Sequence, residues 1–136
     1  MQSVEEFTEE AAAWLADNAT IKREDNSAKE IVWGEGEFST SVFHVLEHEE
    51  EAHLIESITE WVKAKAEVGY HAAASPTEHG GLGLTRKHAS AFAKLERLYE
   101  QPGSHEIVNV TRGLIAPTVD AFGTDEQKSE FIGPLL

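Results

Sequence analysis

The chain has 136 residues and a formal net charge of −14, from 25 acidic and 11 basic residues, and it contains no cysteine. A strongly acidic chain repels nucleic acid and anionic membrane surfaces, since both recruit clustered cations, and without cysteine it forms neither disulfides nor thiolate metal sites. Because the N-terminus is acidic and no apolar run reaches the ~20 residues of a membrane span, we expect one soluble, cytoplasmic domain that binds neither nucleic acid nor membrane.

The first predicted helix begins after Ser3 and runs to about Asn18. Ser3 is placed to cap it, glutamates lie in its first turns, and apolar residues recur along it at intervals of three and four. From Thr20 to about Val45 this periodicity is lost, and the glycine-interrupted segment WGEGEF at 33–38 favours a surface connection.

A long helix follows, because apolar residues between 54 and 68 recur at helical spacing, and Gly69 is placed to end it in the left-handed conformation. The next segment, SPTEHGGLGLT at 75–85, is rich in glycine. It lacks the Lys-Ser/Thr pair of a P-loop, and it follows a helix, whereas a dinucleotide fingerprint follows a strand. We interpret it as a tight connection in which missing side chains let backbone segments approach closely.

The third predicted helix is capped by Thr85 and runs from Arg86 to about Tyr99. A fourth begins at Ser104 as its N-cap and meets Pro117, whose ring should kink or break it near Ala116.

The final helix boundary lies at the segment FGTDEQK, 122–128. Gly123 is predicted to close one helix with a positive φ angle, and Thr124 and Gln127 form a capping box for the next. No segment alternates with a period of two. The sequence therefore predicts an all-α fold, a compact bundle of about five helices in a single domain over residues 1–136.

Two groups of polar residues have the composition of an active or metal site. His44, His48 and His53 lie among glutamates, and Glu50-x-x-His53 has the spacing of di-iron bundles. A di-iron site needs a second such motif and two further inward glutamates, which the sequence lacks, so a solvated charged face that includes Glu47 and Glu51 is favoured over a metal-binding bundle. Ser104-His105-Glu106 contains the residue types of a hydrolytic triad, but adjacent helical residues point apart and form no relay.

The larger aromatic residues fall on the apolar stripes of the predicted helices, so we expect them in the core. They are Trp14, Trp61, Phe92, Tyr99 and Phe122. Residue chemistry alone shows no self-contained active site and favours a binding or assembly module.

Three motifs in order carry a resemblance to a known family. They are the segment from Trp61 to Tyr70 that leads into PxEHGGLGL at 76–84, Glu96 within the third helix, and Gly113-x-x-x-Pro117 followed by FGTxEQK at 122–128. From about Phe7 to Leu136 the chain resembles the N-terminal helical domain of the acyl-CoA dehydrogenases, and WGEGEF resembles a segment of actinobacterial members. His79 departs from the tyrosine that is usual in the family, although both side chains are flat.

The resemblance implies part of an FAD-dependent enzyme that removes two hydrogens across the α,β carbons of an acyl-CoA thioester. It also implies an electron-transfer flavoprotein as the electron acceptor. In this family a middle β-barrel and a C-terminal helical domain hold most of the flavin site and the catalytic glutamate. We therefore expect a truncated or isolated domain that is inactive and binds no FAD alone, with no catalytic, cofactor-binding or metal-binding residue. We expect a homo-oligomer, because the surface that meets the barrel would be apolar and exposed.

The resemblance places one wall of the acyl cavity on the fourth helix. Glu106, Asn109 and Gly113 fall on one helix face, where side-chain size would set cavity depth, and Val110 and Leu114 flank that face. Packing against a neighbouring helix is the open alternative for these five residues. Glu96 is interpreted as a polar residue at the surface or between helices and not as the missing base. A stand-alone helical binding or assembly module of the same ancestry is the alternative function.

Overall fold

The architecture comes from a computed structural model that describes residues 2–22 and 46–136. Those residues form helices and turns with one isolated β-bridge and no strand, so the predicted all-α class is confirmed. The α-helices are α1 (Val4–Asn18), α2 (His48–Glu67), α3 (Arg86–Glu96), α4 (Glu106–Val110), α5 (Ala116–Phe122) and α6 (Asp125–Leu135). A π-helical segment, Thr111–Ile115, joins α4 to α5, and 3-10 turns at Tyr70–Ala72 and Thr77–His79 lie between α2 and α3.

The connection expected between Thr20 and Val45 lies almost entirely outside the described residues, and WGEGEF lies wholly outside them. Because α4, the π segment and α5 form one continuous helical rod, the described elements correspond to the predicted five helices. No helix among residues 2–22 and 46–136 combines the length and the apolar character that a membrane span requires.

The N-terminal cap of α1 is formed as predicted. The Ser3 hydroxyl accepts a hydrogen bond from the Glu6 backbone N–H at 3.1 Å, and the Glu6 carboxylate accepts one from the Ser3 backbone N–H at 3.0 Å. The bond from the Ser3 backbone N–H, together with a weaker contribution from the Ser3 side chain, lowers the pKa of Glu6, because both favour the charged carboxylate. With its start fixed, α1 turns Phe7, Ala11 and Leu15 into the core.

An aromatic cluster joins α1 to α3 and to the 3-10 turn after α2. Tyr70 lies at its centre, with ring centroids 5.5 Å from Phe7, 5.4 Å from Trp14 and 5.0 Å from Phe92. The contacts with Phe7 and Trp14 are edge-to-face, a favourable arrangement for aromatic rings. Trp61 packs beside Trp14, so four elements share one core.

The prediction that Phe122 is a core residue is wrong, since its side chain is 86% exposed, whereas Phe92 is 4% and Tyr99 8% exposed. Helical periodicity gives the direction in which a residue points but not whether another element covers it. Phe122 is the last residue of α5, where the chain turns into α6, and it is left outside.

The glycine-rich connector between α2 and α3 is held by its own backbone. A Cβ atom at Gly81 would lie 2.2 Å from the Ser75 carbonyl oxygen and 2.5 Å from that of Ala72, distances that no side chain tolerates. The Gly81 N–H donates to the Pro76 oxygen at 3.1 Å, and the Gly83 N–H donates to the Ser75 oxygen at 2.8 Å. The predicted tight connection is therefore confirmed, and what approaches Gly81 is the chain's own backbone.

Glycine conformation was predicted correctly at one helix end and wrongly at another. Gly69 ends α2 with φ of 77°, in the left-handed region. Gly123 has an extended backbone, with φ of −69°, so the prediction of a positive φ is wrong. The reason for glycine there is space, because a Cβ would lie 2.5 Å from the Val119 oxygen. The capping box of Thr124 and Gln127 is present as predicted.

The third helix begins at Arg86 as predicted but ends at Glu96, three residues before Tyr99. The helix ends at Glu96 because the backbone of residues 98–100 forms hydrogen bonds with the segment that follows α1. The Lys22 N–H donates to the Leu98 oxygen at 3.0 Å, and the Glu100 N–H donates to the Thr20 oxygen at 2.7 Å.

The rod differs from the prediction in its N-cap residue and in the effect of Pro117. His105, not Ser104, is the N-cap of α4, because its buried ring nitrogen Nδ1 accepts the Ile107 N–H at 3.2 Å. Pro117 does not break the helix. The Ala116 N–H instead bonds the Thr111 oxygen five residues back, and Pro117 falls in the first turn of α5, where its missing N–H is tolerated.

Replacing Gly81 with alanine should strongly destabilise the fold, because the new methyl group would overlap two backbone carbonyls that cannot move aside. We expect a loss of at least about 3 kcal/mol in the free energy of unfolding, measured by urea titration. Gly80→Ala is the control. Gly80 has a φ of 84° but no atom within 4 Å of the position that a methyl group would occupy, so only backbone strain of about 1–2 kcal/mol applies. Equal losses in both variants would contradict the close-approach explanation.

Candidate functional site

A cavity of about 630 Å³ lies between the C-terminal part of α2 with its 3-10 turn, α3, and the rod. Its apolar lining comes mainly from small side chains and the aromatic rings of Tyr70 and Phe92, and its polar lining comes from α2, the segment after it, α3 and the rod. The polar and charged lining residues are Lys65, His71, Ser75, Glu96, Asn109 and Arg112, and apolar ones include Ala73, Phe92, Ala93, Val108, Gly113 and Leu136.

Glu96 ties α3 to α2 at one end of this cavity. Its Oε1 atom accepts hydrogen bonds from the Trp61 indole N–H at 2.7 Å and from the Lys65 ammonium at 2.8 Å. The Lys65 and Glu96 side chains are only 12% and 14% exposed, so the pair is largely shielded from water. Glu96 is therefore a polar residue between two helices, one of the two positions that the sequence predicted for it. Both of its hydrogen-bond donors, Trp61 and Lys65, lie on one face of α2.

Arg112 joins the rod to the 3-10 turn after α2. Its Nη2 atom donates a hydrogen bond to the His71 carbonyl oxygen at 2.7 Å. Burial lowers the pKa of the Arg112 guanidinium, and the charge of Glu96 opposes that shift. The group stays charged at neutral pH, because arginine begins from a very high pKa.

His71 contributes an imidazole to the same wall. Burial lowers the pKa of His71 first of all, and the positive charges of Arg112 and Lys65 lower it further. Its Nδ1 atom is buried and has no hydrogen-bond partner among the described residues. The ring is therefore neutral in the folded protein near pH 7, and it offers one unsatisfied polar atom beside the cavity.

The five predicted wall residues separate into two groups. Asn109 and Gly113 line the cavity together with Val108 and Arg112. Glu106, Val110 and Leu114 do not appear in its lining. Val110 and Leu114 are 45% and 62% exposed, and with Ile107 at 60% they form an outward apolar face of the rod. The rod thus presents a cavity side, which includes Asn109 and Gly113, and an outward side.

The described residues of the acidic and histidine cluster at the start of α2 do not come together as a group of metal ligands. His44 lies outside the described residues; Glu47, His48, Glu50 and His53 are exposed. Among residues 2–22 and 46–136, no group of three or more candidate side chains could hold a metal ion. Glu51 instead accepts a hydrogen bond from the Nε2 atom of the buried His105 at 2.9 Å, which ties α2 to the start of α4.

Sequence reasoning missed Lys65, His71 and Arg112. Lys65 follows Trp61 by four residues, so a shared helix face was available as a signal. Arg112 is a single cation inside an otherwise apolar stretch of the rod, which is an unusual pattern for a solvated face. Nothing local to His71 marks it, because its partner is 41 residues away.

The glycine connector does not offer a phosphate site. The N–H groups of Gly80, Gly81 and Gly83 are hydrogen-bonded to carbonyls of residues 75–77, within the connector itself. Phosphate cradles need several free N–H groups that converge on one point. The role of the connector is therefore to place the 3-10 turn, and with it Tyr70 and His71, against the core and the cavity.

Removing the Glu96 carboxylate should leave the Lys65 charge and the Trp61 N–H without a partner. We expect Glu96→Ala to lower the free energy of unfolding by about 3 kcal/mol or more, because an unpaired charge in a shielded site is costly. The matched double variant Lys65→Met/Glu96→Leu removes both charges and should recover most of that loss in urea titrations. A double variant as unstable as Glu96→Ala would show that packing, not the charge, accounts for the loss.

His71 should make stability depend on pH in a defined direction. Its pKa in the folded protein lies below the ordinary value of 6.5, so between the two values the unfolded chain binds more protons. Stability from this group is therefore full above about pH 6.5 and falls as the pH decreases below it. His71→Asn should reduce the stability difference between pH 7.5 and pH 5. His53→Asn, at a position that is 83% exposed, is the control for the loss of an imidazole; an equal effect of both variants would contradict the assignment.

Comparison with known proteins identifies the family. Residues 36–136 match the model of the acyl-CoA dehydrogenase N-terminal domain. The chain is 31% identical over 132 residues to an acyl-CoA dehydrogenase IpdE1 of Mycobacterium tuberculosis, and 30% identical over 136 residues to one of Mycolicibacterium smegmatis. These alignments cover 97% and 100% of this chain, and the chain spans about 30% of the length of each relative. No solved structure gave a match. The chain belongs to the acyl-CoA dehydrogenase N-terminal domain family, in agreement with the predicted resemblance and its actinobacterial character.

Proposed function

We propose that this chain acts as the N-terminal helical domain of an FAD-dependent acyl-CoA dehydrogenase and supplies one wall of its acyl pocket. The cavity beside the rod carries this proposal, since its volume of about 630 Å³ lies within the range of small-molecule sites. Family membership supports acyl-CoA as the substrate. In the complete enzyme we expect an electron-transfer flavoprotein as the electron acceptor.

The cavity side of the rod is the part that we assign to the acyl group. Gly113 has no atom within 4 Å of the position its Cβ would occupy, so this point of the wall is open and the size of residue 113 sets the free depth. Asn109 lies one turn earlier on the same side. The small side chains of α3 opposite the rod, such as Ala93, leave room for hydrocarbon.

FAD would supply the acceptor for the hydride that leaves the β carbon. The connector N–H groups are already bonded, and the Lys65 ammonium is paired with Glu96, so neither is free to receive a pyrophosphate. We propose that the cofactor and the catalytic base are held by other parts of the complete enzyme, and that this chain alone does not turn over.

The outward apolar face of the rod, defined by Ile107, Val110 and Leu114, is assigned to contact with further protein. Exposed apolar side chains this close together favour association. The same surface supports the expectation of an oligomer.

A chimaera tests the proposed function. This chain replaces the corresponding N-terminal 30% of the M. tuberculosis relative, and the product is assayed for bound yellow flavin and for dehydrogenation of straight-chain and branched acyl-CoA thioesters with an artificial electron acceptor. We expect flavin binding and turnover by the chimaera and neither by this chain alone. A chimaera that binds flavin but oxidises no acyl-CoA would contradict the proposal. Tight acyl-CoA binding by the separate chain would favour a stand-alone binding module.

Two substitutions at adjacent positions in the chimaera test which side of the rod contacts the acyl group. Gly113→Phe should lower kcat/KM for the largest accepted acyl group by about tenfold or more while sparing short ones, because the ring fills the open space beside residue 113. Leu114→Phe is the matched control, since Leu114 is 62% exposed on the outward face. If Leu114→Phe shortened the accepted chain and Gly113→Phe did not, the acyl group would lie on the outward face instead.

A further inference from the structure

Most N–H donors of the Arg112 guanidinium have no hydrogen-bond acceptor among the described residues. It has five N–H donors, and among the described residues it makes one hydrogen bond, to the His71 carbonyl oxygen. No carboxylate of the described residues lies within ion-pairing distance of the Arg112 guanidinium. The ion pairs among those residues involve His53, Lys65 and His105 instead. Glu96 acts on Arg112 through its charge alone and is hydrogen-bonded to Lys65, so the partly buried guanidinium can accept a further anion that bonds it directly.

The charges around the cavity leave one positive charge uncompensated. Lys65 and Glu96 neutralise each other through the 2.8 Å contact between Nζ and Oε1. His71 is neutral near pH 7, and Asn109 carries no charge. Arg112 is therefore the remaining charge in the polar lining of the cavity.

The overall charge of the chain does not cancel this local effect. The net charge of −14 is spread over the surface, and at physiological ionic strength exposed charges are screened beyond about 8 Å. Arg112 and Lys65, in contrast, are themselves partly buried, and partly buried charges are screened less than exposed ones. An anion in the cavity therefore interacts mainly with Arg112.

We propose that this cavity binds an acyl group bearing a second carboxylate, held by Arg112 and assisted by the amide of Asn109. This inference rests on the proposed function and specifies its substrate class. A planar guanidinium suits a carboxylate because two parallel N–H···O bonds match the spacing of the oxygens. The apolar part of the lining, with Phe92 and Ala93, accommodates the hydrocarbon between the thioester and the distal carboxylate.

Binding is tested on the 136-residue chain with a free diacid, so that neither flavin nor thioester is needed. Adipate and its uncharged analogue adipamide are titrated into the ¹⁵N-labelled chain at low ionic strength, and chemical shifts are followed by NMR. We expect adipate to shift the signals of His71, Asn109 and Arg112, added NaCl to weaken the effect, and adipamide to leave those signals in place.

Arg112→Gln should weaken adipate binding by about tenfold or more, since it removes a charge-assisted pair of hydrogen bonds. Arg112→Lys retains the charge but not the planar fork, and should retain part of the affinity. Arg97→Gln is the matched control, because Arg97 is an exposed cation at the end of α3 and its loss changes the net charge equally. The dispersion of each ¹H–¹⁵N spectrum shows whether the variant is folded. Should Arg112→Gln unfold, Asn109→Ala at an exposed position replaces it, with an expected loss of severalfold.

Equal shifts with adipate and adipamide, or equal weakening by Arg97→Gln and Arg112→Gln, would overturn the inference. In the chimaera, the inference predicts higher kcat/KM for adipoyl-CoA than for hexanoyl-CoA, with the order reversed by Arg112→Gln. Turnover of hexanoyl-CoA with no preference for adipoyl-CoA would overturn the inference alone. Adipate binding to the chain with no dehydrogenation by the chimaera would overturn the proposed function alone.

Discussion

The approach of one backbone segment to another at Gly81 is the constraint on which the rest of the site depends. Residues 72–75 pass so close to Gly81 that no side chain fits between them. This fixes the turn at Tyr70–Ala72, and the turn has two roles. Tyr70 enters the aromatic cluster with Phe7 and Phe92, whereas the carbonyl oxygen of the next residue, His71, accepts the hydrogen bond from Arg112. A shift in the connector would therefore move the core and the cavity wall together.

The polar part of the site is stabilised on a different principle from the core. The aromatic cluster gains from non-directional burial, with additional favourable ring geometry. The contact among Trp61, Lys65 and Glu96 gains little from being buried, because desolvation of two charges offsets most of their attraction. Its effect is instead directional: two donors on α2 converge on one carboxylate oxygen of α3, and this fixes the rotation of the two helices about their axes. The cavity lies beside this contact, and Lys65 and Glu96 are part of its lining.

Local signals in the sequence were sufficient to predict helix starts and ends that depend on residues no more than four positions away. The caps at Ser3 and Thr124 and the left-handed Gly69 depend only on neighbouring residues. Predictions that depend on distant contacts failed, as for Phe122, which no other described element covers, and for the start of α4, where the buried ring of His105 takes the capping position from Ser104. The family resemblance placed Asn109 and Gly113 on the wall of an acyl cavity; both line the cavity beside the rod, and their contact with an acyl group stays a prediction.

The residues that give the cavity its charge were not predictable in the same way, because they are defined by pairs far apart in sequence. Lys65 meets Glu96 across 31 residues and Arg112 meets His71 across 41. Yet the motif Gly113-x-x-x-Pro117 contains a local cause for the geometry. Proline cannot donate to the carbonyl four residues back, and that carbonyl belongs to Gly113. The π-helical segment is the local solution, and the Thr118 hydroxyl satisfies the neighbouring Leu114 oxygen at 2.7 Å. Arg112 lies within this altered turn, so Gly113 and Pro117, which together prevent a regular helix, also set the position from which Arg112 reaches the His71 carbonyl oxygen.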